Sequence, residues 1–505
     1  MKLCKLGNFA GAASLAVLLC STASFAEVTT KEVWNDWSKY LQDFGYEITA
    51  VEEQSGNTLK ITEFKAVSKL PENGGTVEIT LSGLELTDQG DGTVALAIPE
   101  HNPITINLTP QGQDGEAMAM EFDFFHKGLA ITVSGSKEEM IYDSAAPELG
   151  IRLVSMMIDG KPLENTELLV SINDITDRTV SRLGDLRTVE QTGTAASLSY
   201  KIGLSDPESD TQVNITGQMD NLAVAGMLSA PPDQDLADLA AALRAGATFS
   251  VSFGYGSGES EVVAEEAGKI TTFASSAGEG SLEIAMGADG ILYDVVSKGG
   301  ELVIASPDLP FPQLVFRFAE NGGKLKMPLL KSEEPQDFAL AFRVIDLEIP
   351  SEIWMIGDPG GALPQDPVTV VFDTSGKGRW FVDILDPAMM AGLEDSDQPP
   401  GEVTEVMLNA LQVKAVGAEL SGDGAFEIRY NGVPKPVGQV NLKLVGVNAL
   451  IDKLIQMGLV PEDQAMGIRM MLGMFAQPGE GEDELVSTIE FTEEGHILAN
   501  GQRLQ

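Results

Sequence analysis

Apolar residues recur at every second position along most of this 505-residue chain. The segments 198–204, 249–255 and 338–344 are clear examples, with polar or small residues between the apolar ones. Because side chains alternate between the two faces of a β-strand, this period predicts antiparallel strands with one apolar and one hydrated face. Short segments rich in glycine, asparagine and aspartate are predicted to be the turns: 73–75, 90–92, 321–323, 421–424 and 431–432.

Helical spacing is confined to short segments. Thr29 or Thr30 is predicted to cap a helix that stops at Gly45, and Asp233 a second helix that stops at Gly246. Further helical segments are predicted at 351–354, 447–455 and 461–474, the last beginning at Pro461. The predicted fold class is therefore mainly β (β-rich α+β). A long antiparallel meander forms curved or elongated sheets, with one helix near the N-terminus and two near the C-terminus.

The best internal division is at Pro231-Pro232. It predicts these units: an N-terminal β-rich half (27–230), a connecting helix (231–246) and a C-terminal β-rich half (247–505). Because both halves share the same strand pattern, the whole segment 27–505 can also be one elongated domain. The polar, proline-rich segment 395–400 is predicted to be a surface loop.

The first 26 residues are typical of a secretory signal peptide. Lys2 and Lys5 are basic, residues 10–20 are mostly small and apolar, and Ser24 and Ala26 are the small residues that a signal peptidase requires. Cleavage is predicted after Ala26, and the predicted location is the bacterial periplasm.

Both cysteines, Cys4 and Cys20, lie within this segment, so residues 27–505 can hold no disulfide or cysteine-bound metal. Acylation of Cys20 is the lipoprotein alternative, which Leu19 disfavours because the preceding residue is normally small. No later segment approaches 18 uninterrupted apolar residues, so no transmembrane segment is predicted after cleavage.

The chain is strongly acidic, with 76 Asp and Glu residues against 32 Lys and Arg, a net charge of -44. Phosphate backbones would repel it, which argues against nucleic-acid binding. Weak, non-specific binding of divalent cations is expected. The segment 88–93 is similar to a calcium loop, but it lacks further ligands in register, so a hairpin turn is the favoured interpretation.

No catalytic pattern is present. His101, His126 and His496 stand alone, and Gly254–Gly258 approaches a serine elbow only with its serine out of register. Pairs of carboxylates are so numerous that none can be singled out as a catalytic pair. The sequence therefore predicts no catalytic residue, metal site or cofactor, and a protein that is not an enzyme.

Four methionines crowd one predicted helix: Met466, Met470, Met471 and Met474. Core packing is the favoured interpretation. The alternative is a surface for a lipophilic ligand, because methionine also lines adaptable apolar grooves. These four residues are the predicted candidates for ligand binding.

The segment 353–371 resembles a hallmark of the domain of unknown function 2125 family, which consists of exported alphaproteobacterial proteins. Its distinctive residues are Trp354, Asp358, Pro359, Pro364, Asp366 and Pro367. The segments 33–46, 90–93, 411–426 and 495–501 fit the same resemblance. The family implies no established activity or site. The chain also bears a looser similarity to AsmA-like envelope proteins, based on its pattern of strands and turns. The curved sheets of those proteins are implicated in lipid handling.

Within that segment, three prolines fix backbone angles and Gly360-Gly361 permit a tight turn. Trp354 is large enough to close a sheet end, and Asp358 and Asp366 can cap turns. The favoured interpretation is a locked corner, and a ligand clamp is the alternative.

The sequence favours a non-enzymatic periplasmic protein whose curved sheet shelters a lipid or another apolar ligand. An acidic envelope scaffold or assembly factor that binds protein partners is the second hypothesis. A hydrolase with carboxylates converging in one pocket is the third.

Overall fold

The structure, a computed structural model, describes residues 27–70, 75–109, 117–205, 211–232, 236, 238–385, 399–430 and 432–504. The predicted signal peptide and the predicted cap at Asp233 lie outside these residues. Within them the chain forms five helices: α1 (Thr30–Asp43), α2 (Leu239–Arg244), α3 (Ser351–Gly357), α4 (Val447–Gln456) and α5 (Glu462–Phe475).

Strands form most of the described structure, which confirms the predicted β-rich class. In chain order they are β1 (Glu47–Ser55), β2 (Thr58–Leu70), β3 (Gly75–Asp88), β4 (Val94–Ala97), β5 (His101–Thr109), β6 (Met118–Lys127), β7 (Ala130–Gly135), β8 (Glu139–Ile158), β9 (Lys161–Pro162), β10 (Glu167–Leu183), β11 (Arg187–Ser205), β12 (Gln212–Ala230), β13 (Thr248–Tyr255), β14 (Ser257–Glu266), β15 (Lys269–Ala277), β16 (Glu279–Gly287), β17 (Gly290–Ala305), β18 (Leu314–Met327), β19 (Gln336–Leu347), β20 (Val368–Trp380), β21 (Gly401–Ala415), β22 (Ala418–Tyr430), β23 (Pro434–Val445), β24 (Gln477–Pro478), β25 (Glu484–Phe491), β26 (Ile497–Ala499) and β27 (Gln502–Arg503).

All these strands belong to one sheet, in which neighbours are antiparallel and mostly consecutive in the chain. The order changes twice in the same way. One end of β3 pairs with β4, which pairs in turn with β7. The other end of β3 pairs with β5, which pairs with β6. Both β6 and β7 then pair with β8, so the two branches rejoin. The strands β12 to β17 repeat this branched connection. Strand pairing runs without interruption across the predicted boundary at 231–246, because β12 pairs with β13.

A crease crosses the sheet where several strands contain a residue with left-handed backbone angles. Glu63, Asp174, Asn221 and Asp346 have φ between 49° and 54°, and Gly299 has a φ of 61°. Such a residue inverts the alternation of side chains. The apolar positions in β12 are accordingly 213, 215 and 219 before the crease, and 222, 224 and 228 after it. The inversion keeps all of these side chains on one face of the sheet.

Two predicted turns are wrong. Gly322 lies inside β18, and Gly422 and Gly424 lie inside β22. At each position an added Cβ would lie 2.7 or 2.8 Å from a carbonyl oxygen of the neighbouring strand. Glycine therefore permits close backbone approach here and does not mark a reversal of the chain. The turn at 90–92 is confirmed, with φ of 76° at Gly90 and 87° at Gly92.

Helix α1 begins as predicted. The backbone N–H of Glu32 donates to the Thr29 hydroxyl, and the Thr29 N–H donates to the Glu32 carboxylate at 2.9 Å. The apolar side of α1 covers β2, β3, β4, β7 and β8. Its buried Val33 and Trp34 join the largest core cluster, with Leu59, Ile61, Phe64, Leu84, Leu86, Val94, Leu96, Val133, Met140 and Tyr142.

The other helices lie near their predicted positions. The connecting helix is shorter than predicted, because its cap is Asp238, whose carboxylate accepts from Ala241 N at 3.0 Å. Helix α4 follows Gly446, and Pro461 caps α5. No helix in the described part of the chain is long and apolar enough to cross a membrane.

Candidate functional site: an open apolar face

One face of the sheet is apolar across most of its strands. Residues that are paired in the ladders share a face, so their rows show its composition. Two such rows cross β11 to β18 on opposite sides of the crease: Ile202, Ile215, Val262, Phe273, Ile304 and Leu314; and Val189, Leu228, Phe249, Met286, Ile291 and Met327.

The same face continues to the C-terminal strands. Further rows cross β19 to β25: Val344, Val370, Val413, Leu420, Leu444 and Leu485; and Phe342, Phe372, Leu411, Gly422 and Leu442, ending at Ser487. We call the face that carries these rows the apolar face.

The opposite face, which we call the polar face, has the reverse composition. One of its rows consists of Ser199, Gln218, Glu259, Ser276, Glu301 and Arg317. Cross-strand ion pairs lie on it, including Lys201–Glu167 at 2.8 Å and Arg317–Glu301 at 2.8 Å. The one-sided alternation predicted from the sequence is thus present across most of the sheet.

Among the described residues, no second layer covers the apolar face over most of its length. Residues 248–328, all of which are described, include no fully buried hydrophobic side chain. Phe342 is 51% exposed and Leu340 is 47% exposed. Other large side chains on this face are also exposed: Leu204, Phe249, Phe273, Tyr293, Leu325, Phe372, Val403 and Val413. A folded chain rarely leaves an apolar surface of this extent in water, so the face is a strong candidate for a binding surface.

Aromatic rings lie over glycines of the neighbouring strand at several points of the apolar face. Tyr200 lies over Gly217, and Trp380 lies over Gly401, where an added Cβ would be 2.8 Å from Trp380 Cε3. Similar pairs are Tyr255 with Gly280, Phe318 with Gly300, and Phe338 with Gly376. The rings fill the space left by the missing side chains, so the surface that they present is hydrocarbon.

A cavity of about 490 Å³ opens on the apolar face where β18 to β22 meet. Leu325, Phe338, Leu340 and Val403 line it, and Trp380 forms part of its wall. The indole N–H of Trp380 donates to the Pro328 carbonyl at 2.8 Å, so its polar atom is already satisfied. The wall therefore presents an aromatic ring to the cavity.

The apolar face becomes polar beside α1. Arg187 binds Asp36 at 2.7 Å and lies 5.4 Å from the ring centre of Tyr40. The Tyr142 hydroxyl donates to Asp36 at 3.0 Å. Burial, together with the charge of Asp36, holds the pKa of Tyr142 far above its ordinary value. This network fixes α1 to β8 and β11.

The methionines predicted to bind a ligand lie on α5. Met466 is 73% exposed and Met470 67% exposed, and Met471 and Met474 are also exposed on α5. Their predicted core packing is wrong, because only Ala465 of α5 is buried. Their role in ligand binding stays a prediction. The exposed apolar side chains of β13 and β19 lie in the segments 249–255 and 338–344, whose alternation predicted a one-sided strand.

The motif at 354–367 forms the connection between β19 and β20. Helix α3 occupies its first part, and Trp354 is half-buried. The buried Asp358 carboxylate accepts hydrogen bonds from Leu363 N at 2.7 Å and Ala362 N at 3.0 Å. These backbone donors lower the pKa of Asp358. Pro364 packs against the β21–β22 turn, where a Cβ on Gly417 would lie 2.9 Å from Pro364 Cγ. Asp366 and Pro359 are exposed.

Two of the histidines considered in the sequence, and the segment 88–93, have hydrogen-bond partners within the fold. His101 Nδ1 lies 2.9 Å from Asp123, and His126 Nε2 lies 3.0 Å from the Ile98 carbonyl oxygen. In the segment 88–93 the carboxylates of Asp88 and Asp91 accept from backbone N–H groups of their own turn. Among the described residues no group of three or more histidines, cysteines or carboxylates could hold a metal ion.

A shallow hollow of about 620 Å³ lies on the polar face. Glu259, Glu261 and Glu301 line it together with Lys201 and hydroxyl groups. Glu301 is paired with Arg317. Three carboxylates therefore line one hollow, and the hydrolase hypothesis stays a prediction.

Comparison with protein families gives one match. Residues 324–499 match the model of DUF2125, described as an uncharacterized protein conserved in bacteria. This segment, from β18 to β26, belongs to that family, so the resemblance predicted from the motif at 354–367 is confirmed there. The comparisons do not show the looser AsmA-like similarity. No curated protein and no solved structure matches the chain.

Proposed function

We propose that the protein is a non-enzymatic periplasmic lipid-binding protein, in which hydrocarbon chains lie on the apolar face of the open sheet. The observation that carries this proposal is the set of large, exposed apolar side chains aligned across β11 to β21, over most of which no described element forms a second layer. The proposed location follows from the predicted signal peptide of residues 1–26.

The chemistry of the face favours hydrocarbon over polypeptide. Backbone N–H and C=O groups of the inner strands are already paired in the plane of the sheet. An extended peptide laid on the face would lose water from its own backbone groups and gain no partners. A hydrocarbon chain has no such groups, and each buried methylene contributes about 0.8 kcal/mol.

The test is lipid extraction from the folded protein. The protein is purified from the periplasm, extracted with organic solvent and compared by mass spectrometry with a mock purification. We expect stoichiometric lipid in the wild type, and much less in Phe342→Asp, which places a charge on the apolar face. Ala341→Asp is the matched control, because Ala341 is the preceding residue and faces the polar side. Absence of lipid above the mock in folded protein would contradict the proposal.

The acidic scaffold is the second candidate. The observation that favours it is the exposure of Glu259 and Glu261 on the polar face, in a chain of net charge -44. It predicts that a basic protein co-purifies in low salt and dissociates as salt screens the attraction. Glu259→Gln with Glu261→Gln should then weaken co-purification and leave lipid content unchanged.

A further inference from the structure

The polar interruption of the apolar face lies in a cavity of about 300 Å³ between α1 and the sheet. Asp177, Thr179, Ser181 and Gln191 project into it from β10 and β11, and the Trp37 and Tyr40 rings line its α1 side. The position therefore differs in chemistry from the hydrocarbon surface around it.

The cavity is continuous with that surface. In the ladder, Gln191 is aligned with Gly226 and Val251, and Val189 is aligned with Leu228 and Phe249. Strands are about 4.8 Å apart, so the polar cavity lies about two strand spacings, or about 10 Å, from Phe249 and Val251. One molecule with a polar end and an apolar end can contact both regions.

The charges in the cavity are unevenly paired. Arg187 binds Asp36 at 2.7 Å and Asp43 at 3.7 Å, and Lys39 also binds Asp43, at 2.8 Å. Asp177 has only neutral partners among the described residues, with Gln191 Nε2 at 2.8 Å and the Thr179 hydroxyl at 3.1 Å. A cationic group entering the cavity would therefore meet a carboxylate without a cation.

The cavity also contains an unsatisfied donor. The Arg187 side chain is 9% exposed, and its Nε–H has no hydrogen-bond partner in the structure. A buried donor of this kind costs free energy unless it finds an acceptor. An acceptor oxygen and an ammonium group together would satisfy Arg187 and Asp177.

We propose that this cavity is the headgroup site for a zwitterionic amphiphile whose hydrocarbon chain lies on the apolar face over β12 to β17. The ammonium group faces Asp177 and the ring of Trp37, which also attracts cations. The anionic oxygens lie toward Arg187. This inference rests on the proposed lipid binding and adds the class of lipid and its orientation.

Binding of three dodecyl amphiphiles to the purified mature protein tests the inference. One carries a phosphoethanolamine headgroup, one a phosphate, and one only a hydroxyl. We expect the zwitterion to bind the wild type most tightly. Asp177→Asn should reduce that affinity by about fivefold, the effect of one partly exposed charge pair. Binding of dodecanol should not change.

Asp423→Asn is the matched control, because Asp423 lies on the polar face beside Asn441. It removes the same charge from a distant position and should leave all three affinities unchanged. Equal affinity of the wild type for the three amphiphiles would overturn the headgroup site while leaving lipid binding intact. Equal effects of the two substitutions would also overturn it. Failure of all three amphiphiles to bind would instead overturn the proposed function.

Discussion

The Phe338 ring lies across Gly376 of the neighbouring strand, so that Cζ of the ring occupies space only 2.6 Å from where a Cβ on Gly376 would be. The same Cβ would lie closer still to the Glu405 carbonyl oxygen of β21, so it would overlap with both. The pairing covers the backbone with an aromatic ring at a position where a side chain would separate the strands. It thereby keeps the apolar face continuous between β19 and β21.

Gly376→Ala should therefore destabilise the protein by about 1–3 kcal/mol, because the added methyl group forces both neighbours to move. Urea unfolding gives the free energy. Gly467→Ala is the control: this helical glycine in α5 has no atom within 4 Å of the added Cβ. The control should stabilise by about 0.5–1 kcal/mol. Equal shifts in the two variants would contradict the close packing of the ring and the Glu405 carbonyl at Gly376.

Removal of Arg187 should be costly because it leaves Asp36 without its cation. The Arg187 and Asp36 side chains are 9% and 19% exposed. We expect Arg187→Leu to lower the free energy of unfolding by about 3 kcal/mol. Arg178→Leu is the comparison, since its pair with Asp143 is exposed on both sides and should contribute less than about 1 kcal/mol. A smaller effect at Arg187 than at Arg178 would show that α1 is not anchored by this pair.

Stability should fall at alkaline pH because of Tyr142. Burial raises the pKa of its hydroxyl above the ordinary value of 10.0, and Asp36 raises it further. The folded state therefore holds this proton where the unfolded state loses it. The contribution is complete below pH 10 and declines as pH rises above that value. Tyr142→Phe should reduce the slope of unfolding free energy against pH in this range. An unchanged slope would show that Tyr142 does not cause the loss of stability.

Asp358 should give the opposite dependence. The N–H groups of Leu363 and Ala362 lower the pKa of its carboxyl below the ordinary value of 3.8. The carboxylate therefore stabilises the fold above about pH 4, and this contribution is lost as pH falls through the lowered pKa. Asp358→Asn should be less stable than the wild type at neutral pH, and the difference should shrink in acid. A constant difference across the range would point to packing instead of charge.

The alternation of apolar residues was sufficient to predict the strands and their one-sided character, because period two has few other structural causes. Helix α1 was predictable from its cap at Thr29. Gly322 and Gly424 were misassigned as turn residues because glycine serves both reversal of the chain and close approach of strands. Only the neighbouring strand distinguishes the two uses.

Other features depend on contacts distant in sequence. Asn221 belongs to a residue type that favours left-handed backbone angles, but one asparagine does not show that the alternation inverts there in β12. The meeting of Asp36 with Arg187 joins positions 151 residues apart. The exposure of the methionines on α5 depends on what the fold leaves uncovered, which hydrophobicity alone does not show. The motif around Asp358 was recognisable because its prolines and glycines are close in sequence.

Photo-crosslinking from adjacent residues of β19 distinguishes lipid on the apolar face from lipid on the polar face. A photoreactive phenylalanine analogue is placed at Phe342 on the apolar face or at Ala341 on the polar face, and the protein is irradiated in the periplasm. Mass spectrometry of the purified protein then measures attached lipid. We expect lipid adducts from position 342 and none from position 341. Equal adducts at both positions, or lipid at neither, would contradict it.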